Sequence, residues 1–142
     1  MSKQIVVALD GSEHSLFALK EAADLANDMG GGLGLLYVFP YVTATMAGLP
    51  DVYRDKLSEL KDRTAEQVFD RAEAALRKRC PVTQRHLLWG DPAEEIIGFM
   101  KAHPDTLMVM GRLGKSPITR LVLGSVSDKV VRYAPGMVAV AS

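Results

Sequence analysis

Apolar residues along the chain fall into short runs separated by helical repeats. Gln4–Leu9 and Thr106–Met110 are almost entirely apolar, so both predict strands buried on the two faces of a parallel sheet. Further apolar runs predict strands at Leu33–Phe39, Val82–Leu88 and Met137–Ala141. The pattern therefore predicts five strands.

Four segments between these strands carry apolar residues three and four positions apart, which is the periodicity of a helix. The first has Ser12 as its N-cap, and the second is a long amphipathic helix that is expected to end near Arg79. The remaining two begin at Pro92 and at a cap provided by Ser125 or Ser127.

Strict alternation of strands and helices implies a parallel sheet with helices on both faces and right-handed crossovers. Spacing alone does not determine the order of the strands. No linker, repeat or low-complexity stretch interrupts the alternation, so residues 1–142 are predicted to form one α/β domain.

The stretch after the fourth strand carries the clearest chemical pattern. Two residues separate Gly111 from Gly114, and nine separate Gly114 from Gly124. This glycine-containing segment connects the fourth predicted strand to the start of the fourth predicted helix. Glycine lets backbone N–H groups approach an anion, and a helix N-terminus offers unpaired donors with partial positive charge. The loop also contains cationic side chains and no acid, the cations being Arg112, Lys115 and Arg120. The pattern predicts an anion-binding site.

Composition narrows the classes of function. The chain is 48% hydrophobic and 24% charged, with 17 basic and 17 acidic residues, so no charge excess favours nucleic acid or an anionic membrane. The single cysteine, Cys80, cannot form an intramolecular disulfide, and no apolar run approaches the length of a membrane span. No signal-peptide pattern precedes the first strand, so we expect a cytoplasmic protein.

The glycine spacing resembles the nucleotide-binding signature of the universal stress protein family, and the similarity covers nearly the whole chain. Val6–Ser15 is similar to the family's opening strand and turn, Gly90–Ile97 to the start of its third helix, and Arg132–Pro135 to the approach to its last strand. The resemblance implies an open, doubly wound, Rossmann-like sheet of order 3-2-1-4-5 with four helices, as in adenine nucleotide alpha hydrolase-like folds. It places the ligand crevice between the ends of strands one and four.

The resemblance also implies an adenine nucleotide as ligand: ATP, ADP or AMP, with Mg²⁺ as a candidate companion. From spacing alone, Asp10 fits a turn residue as well as a carboxylate for ribose hydroxyls or the adenine amino group; the resemblance favours the ligand role. Val38 matches an adenine-contacting position, although a strand valine also fits the core. Arg112 and Lys115 are interpreted as electrostatic helpers, or alternatively as solvated loop charges. The implied binding residues are Ala8, Leu9, Asp10, Val38, Met110, Gly111, Arg112, Gly114, Lys115, Gly124, Ser125 and Val126.

Three functions fit this pattern. The first is a stress-response regulatory module that binds ATP as a homodimer and acts on an unidentified protein partner. The second is a slow ATP hydrolase, for which no catalytic residue is assigned: phosphoryl transfer needs a metal clamp and a positioned nucleophile, and Asp10 is the only acid near the predicted phosphates. The third is a partner-binding dimer that is independent of nucleotide. In the family the closing strand, here Met137–Ala141, pairs across the dimer axis, so a homodimer is expected. No histidine or cysteine spacing predicts a protein metal site.

Overall fold

The computed structural model describes residues 3–40, 48–112 and 123–141. Strands and helices alternate through these ranges, and each predicted strand and helix is present. The elements are β1 Gln4–Leu9, α1 Glu13–Asp28, β2 Leu33–Pro40, α2 Asp51–Leu76, β3 Val82–Gly90, α3 Pro92–Ala102, β4 Thr106–Gly111, α4 Ser125–Tyr133 and β5 Met137–Ala141.

The strands form one sheet in the order β3-β2-β1-β4-β5, and every neighbouring pair is parallel. The expected order 3-2-1-4-5 is therefore confirmed. From β1 the chain winds outward to β3 and then returns to place β4 on the other side of β1. The direction of winding thus reverses between β1 and β4, which is where open α/β sheets leave a crevice at the carboxyl ends of their strands.

Two apolar layers cover the sheet, one on each face. Val7 and Val109 point to the layer formed with α1 and α2, whereas Val6 and Met108 point to the layer formed with α3 and α4. Since neighbouring residues of β1 and β4 are buried on opposite faces, both strands require continuous apolar sequence.

Side chains cap the starts of α1 and α3 as the sequence indicates. The Oγ of Ser12 accepts a hydrogen bond from the backbone N–H of Ser15 at 3.1 Å. The carboxylate of Asp91 accepts one from the N–H of Glu94 at 3.0 Å, with Pro92 at the first helical position. Both helices begin shortly after the strands that precede them, at the carboxyl end of the sheet.

Two helix ends differ from the sequence-based expectation. Helix α2 ends at Leu76 and not near Arg79, because Arg77 and Lys78 adopt left-handed φ values of 50° and 62°. Helix α4 is capped by Gly124, so neither Ser125 nor Ser127 is the N-cap. Ser125 is instead the first helical residue.

Helix α2 is 26 residues long, and its fully buried residues all lie in its second half, while Leu57 in the first half is partly buried against the core. Its buried residues begin at Ala65, whereas Val52, Tyr53 and Leu60 in the first half are exposed. Within the described ranges no helix, including this one, combines the length and apolar character needed to cross a membrane.

Candidate functional site

A cavity of about 400 Å³ lies where β1, β2 and β4 end and α4 begins. Its lining combines apolar side chains with a smaller number of polar groups, the usual composition of a small-molecule site. The apolar side chains are those of Ala8, Leu9, Leu36, Val38, Pro40, Pro92, Ile96, Met110 and Val126. The polar ones are those of Asp10, Ser15, Tyr37, Ser125 and Ser127.

Most of the residues predicted to bind a nucleotide line this cavity. They are Ala8, Leu9, Asp10, Val38, Met110, Gly111, Gly124, Ser125 and Val126. Arg112 follows β4 but is not among the described lining residues; its backbone N–H donates to the carbonyl oxygen of Ala141 at 2.9 Å. Gly114 and Lys115 lie outside the described residues. A nucleotide-binding role for the whole set stays a prediction.

The cavity also includes residues that the sequence did not indicate. Tyr37 directly precedes Val38 in β2, so its place next to a predicted binding residue is a usable signal. Ser15 and Ile96 reach the cavity only because α1 and α3 pack against the ends of the strands, and no local pattern marks them. The additional lining residues are Ser15, Leu36, Tyr37, Pro40, Pro92, Ile96 and Ser127.

Asp10 has a turn role in addition to its place in the cavity. One carboxylate oxygen accepts a hydrogen bond from the backbone N–H of Ser12 at 2.8 Å, which stabilises the turn between β1 and α1. The same side chain lines the cavity. The turn therefore orients the carboxylate, and the two interpretations of this residue are compatible.

Tyr37 is a polar group near Asp10; it lies on β2 opposite Leu9, the last residue of β1. Burial raises the pKa of the Tyr37 hydroxyl, and the negative charge of Asp10 raises it further. The ring is fixed by an edge-to-face contact with Phe69, with 6.5 Å between ring centroids. Tyr37 thus presents a protonated phenol, which can both donate and accept a hydrogen bond.

The junction between β4 and α4 is held by contacts on both sides. The Oγ of Ser127 donates to the carbonyl oxygen of Gly111 at 2.7 Å, and the N–H of Gly124 donates to the carbonyl oxygen of Arg112 at 2.8 Å. On the other side, a Cβ at position 111 would lie 2.7 Å from the carbonyl oxygen of His14. Gly111 therefore packs directly against the first turn of α1.

Among the described residues, Asp10 and the N-terminus of α4 are the sources of charge in the cavity. Asp10 is the only acidic side chain among the described lining residues, and these include no lysine, arginine or histidine. The described part of the chain contains no group of three or more histidine, cysteine or acidic residues placed to hold a metal ion. The first turn of α4 supplies N–H groups without acceptors inside the helix, together with partial positive charge. This end of the cavity suits an anion.

The sheet order and the cavity at the reversal of winding define a doubly wound α/β protein with a crevice at the carboxyl ends of its strands. More specifically, the chain belongs to the universal stress protein family, whose model matches residues 1–142. Two relatives by sequence are a universal stress protein of Thermus aquaticus, 34% identical over 95% of this chain and 95% of its own, and one of Methanocaldococcus jannaschii, 30% identical over 93% and 77%.

Solved structures share the fold at lower sequence identity. A universal stress protein of Lactobacillus plantarum superposes with a TM-score of 0.80 at 24% identity, covering 100% of this chain and 99% of its own. One from Archaeoglobus fulgidus, solved in complex with dAMP, has a TM-score of 0.68 at 23% identity, covering 99% and 98%. Another universal stress protein, solved in complex with cAMP, has a TM-score of 0.64 at 24% identity, with the same coverage of 99% and 98%. These likenesses establish the shared fold.

Proposed function

We propose that this protein binds an adenine nucleotide, ATP or its ADP and AMP counterparts, in the cavity at the ends of β1, β2 and β4. The proposal rests on one observation: apolar side chains, one carboxylate and a helix N-terminus line the same cavity. Two universal stress proteins of the same fold have been solved with dAMP and cAMP, which supports the same class of ligand.

The apolar part of the cavity suits a purine base. Val38 and Leu36 lie on β2, and Met110 lies at the end of β4, so their side chains offer a surface that a flat aromatic ring can cover. Asp10 adds a carboxylate that accepts hydrogen bonds from ribose hydroxyls or from the adenine amino group. A guanine base presents a carbonyl oxygen at the position of that amino group, and a carboxylate would not accept a hydrogen bond from it.

The N-terminus of α4 suits the phosphates. Gly124, Ser125 and Val126 line the cavity at this helix start, where backbone N–H groups and the helix dipole favour an anion. Arg112 and Lys115 complete the proposed set as cationic residues, with Gly114 as the second glycine of the signature. Mg²⁺ would accompany the nucleotide through its phosphate oxygens, because Mg²⁺ commonly binds by one or two carboxylates together with substrate phosphates.

We assign the protein a regulatory role that depends on nucleotide occupancy. Asp10 is the only titratable lining group of the described residues apart from Tyr37, so the cavity offers little with which to activate a nucleophile. The proposed working form is a cytoplasmic homodimer that recognises a protein partner. Strand β5 is the edge through which two sheets would join, and its first residue, Met137, is 57% exposed.

Isothermal titration of the folded protein with ATP and GTP tests the proposal. We expect ATP to bind more tightly than GTP, and we expect Asp10→Asn to weaken ATP binding. Asparagine can keep the turn hydrogen bond to Ser12, so the substitution removes charge with little change to the fold. Asp105→Asn, at the opposite end of the sheet, is the matched control and should bind as the wild type does.

Absence of ATP binding at low salt, in protein shown to be folded, would overturn the proposal. Equal affinity for GTP would overturn only the preference for adenine. A turnover assay on the same samples would reveal hydrolysis, and a rate that depends on Asp10 would support the hydrolase interpretation instead.

A further inference from the structure

Ser127 makes a hydrogen bond that helix formation does not require. It lies in the first turn of α4 with 3% of its surface exposed, and its Oγ donates to the carbonyl oxygen of Gly111 at 2.7 Å. The two residues are 16 positions apart in the chain. Both the distance and the burial are those of a well-formed O–H···O bond.

The bond is unusual for a serine at a helix start. Such a serine commonly caps its own helix or bonds to a carbonyl group in the preceding turn. Here Gly124 is the N-cap, and the hydroxyl of Ser127 reaches across to the end of β4. The side chain therefore connects two elements and does not stabilise α4 alone.

A second bond acts at the same junction. The N–H of Gly124 donates to the carbonyl oxygen of Arg112 at 2.8 Å, one residue after the carbonyl that Ser127 engages. Together the two bonds set the separation between the end of β4 and the first turn of α4. Both of these elements line the cavity.

On the side facing α1, Gly111 packs directly against backbone atoms. The space that a Cβ would need at position 111 is taken by the backbone of His14, so the end of β4 rests against the first turn of α1. A helix bonded to the carbonyl group of Gly111 is consequently held relative to β4 and α1 together. The orientation of the first N–H groups of α4 follows from this arrangement.

We infer that Ser127 is a positioning residue for the phosphate end of the bound nucleotide. Its hydroxyl proton is used by Gly111, and its contribution to binding passes through the backbone N–H groups of α4 that face the cavity. This inference rests on the proposed adenine nucleotide site. It predicts that loss of the hydroxyl weakens binding of the phosphates and leaves binding of the base and ribose unchanged.

The test compares ATP with adenosine in matched variants. For Ser127→Ala we expect ATP affinity to fall about tenfold and adenosine affinity to change by less than about twofold. Ser127→Thr keeps the hydroxyl and should restore ATP affinity. Thr106→Val is the control: it removes a buried hydroxyl at the other end of β4 that has no hydrogen-bond partner within the described residues, and it should affect neither ligand.

An equal loss of ATP and adenosine binding would show that Ser127 only stabilises the fold, and it would overturn the inference. Unchanged ATP binding in Ser127→Ala would overturn it as well. Thermal unfolding of the same samples is measured together with both titrations, so that a partly unfolded variant is recognised.

Amide hydrogen exchange in nucleotide-free protein separates this inference from the proposed function. Ser127→Ala should speed exchange at the N–H of Gly124, and it should not affect the N–H of Leu33, which donates to Pro81 far from the cavity. If the wild type binds neither ligand, the proposed function fails, while faster exchange at Gly124 still supports positioning of α4 by Ser127. If ATP binds but neither exchange nor affinity responds to the variant, only the role of Ser127 is overturned.

Discussion

Gly111 and His14 are in direct backbone contact, so close that a Cβ at position 111 would lie 2.7 Å from the carbonyl oxygen of His14. The sequence pattern explains Gly111 as a residue that lets backbone approach a phosphate. The structure supplies a second reason for glycine, since α1 and β4 meet at this point. The requirement for glycine here is at least partly one of packing.

Gly111→Ala should therefore destabilise the fold in the absence of any ligand. Backbone must shift to admit the methyl group, and such overpacking costs roughly 1–3 kcal/mol. Thermal or denaturant unfolding measures this cost. Gly136→Ala is the matched control, because a Cβ there would meet Met100 at an ordinary 3.6 Å. Equal stability of the two variants would contradict the packing explanation.

Gly124→Val should lower ATP affinity at least about tenfold, on the order of 1.4 kcal/mol, while the fold persists. The φ of Gly124 is −62°, so the expected effect comes from the bulk of the side chain at the α4 N-terminus and not from backbone strain. Gly114→Val is the companion variant, predicted from the sequence pattern alone. Isothermal titration measures both.

The control for these variants is Gly98→Val on α3, where an added Cβ would meet nothing within 4 Å. It introduces the same side chain into a helix at a distance from the proposed phosphate site. Wild-type affinity in both Gly114→Val and Gly124→Val would mean that the phosphates bind elsewhere.

Strand β5 is predicted to make the homodimer. It is an edge of the sheet, and exposed apolar side chains at Met137, Tyr133 and Val131 lie in it or in the preceding helix. Val138→Pro removes a backbone donor from the strand and should disfavour pairing between two copies. Light scattering on the wild type, this variant and a chain truncated after Pro135 measures the change in mass.

A truncated protein that stays folded and dimeric would exclude β5 as the interface. The exposed first half of α2, which includes Val52 and Tyr53, would then be the next surface to test. Val138→Pro also affects pairing with β4, so circular dichroism must show that this variant remains folded before its mass is interpreted.

His86 should make stability depend on pH in the mildly acidic range. Its ring contacts Phe99 at 4.7 Å between centroids and lies 6.2 Å from His103, and its Nε2 has no hydrogen-bond partner within the described residues. Burial lowers the pKa of His86 from 6.5, and the neighbouring His103 lowers it further.

The direction of this pH effect on the free energy of unfolding depends on whether the folded or the unfolded state binds the proton. As pH falls through about 6.5, the unfolded chain protonates at His86 while the folded protein does not, so the free energy of unfolding decreases. The decrease ends below the lowered pKa of the folded state. Denaturant unfolding between pH 8 and pH 5 should show this loss, and His86→Leu should reduce it. His14→Gln is the control, and an identical pH profile for wild type and His86→Leu would refute the assignment.

The sequence predicts the elements of this fold better than their ends. The apolar runs of β1 and β4 are unambiguous because both faces of these strands are buried. The end of α2 was not predictable, since Arg77 and Lys78 favour helix by propensity and adopt left-handed conformations only in the tertiary structure. Strand order came from the family resemblance and not from spacing.

Some residues of the candidate site can likewise be predicted from the sequence, and others cannot. Asp10 and Gly124 could be found because strand ends and glycine spacing mark them. Ser15 and Ile96 could not, because helices bring them to the cavity from elsewhere in the chain. The sequence indicates Ser127 only as a candidate cap, because its actual partner, the carbonyl group of Gly111, depends on a contact that no local pattern encodes.

The last residue pair between β4 and β5 connects the cavity to the edge of the sheet. Gly111 pairs with Ala141, and the N–H of Arg112 donates to the carbonyl oxygen of Ala141 at 2.9 Å. A ligand that restricts motion at Gly111 would therefore restrict the end of β5 as well. Such coupling is reciprocal: if ligand binding tightens association through β5 by some factor, association must tighten ligand binding by that same factor.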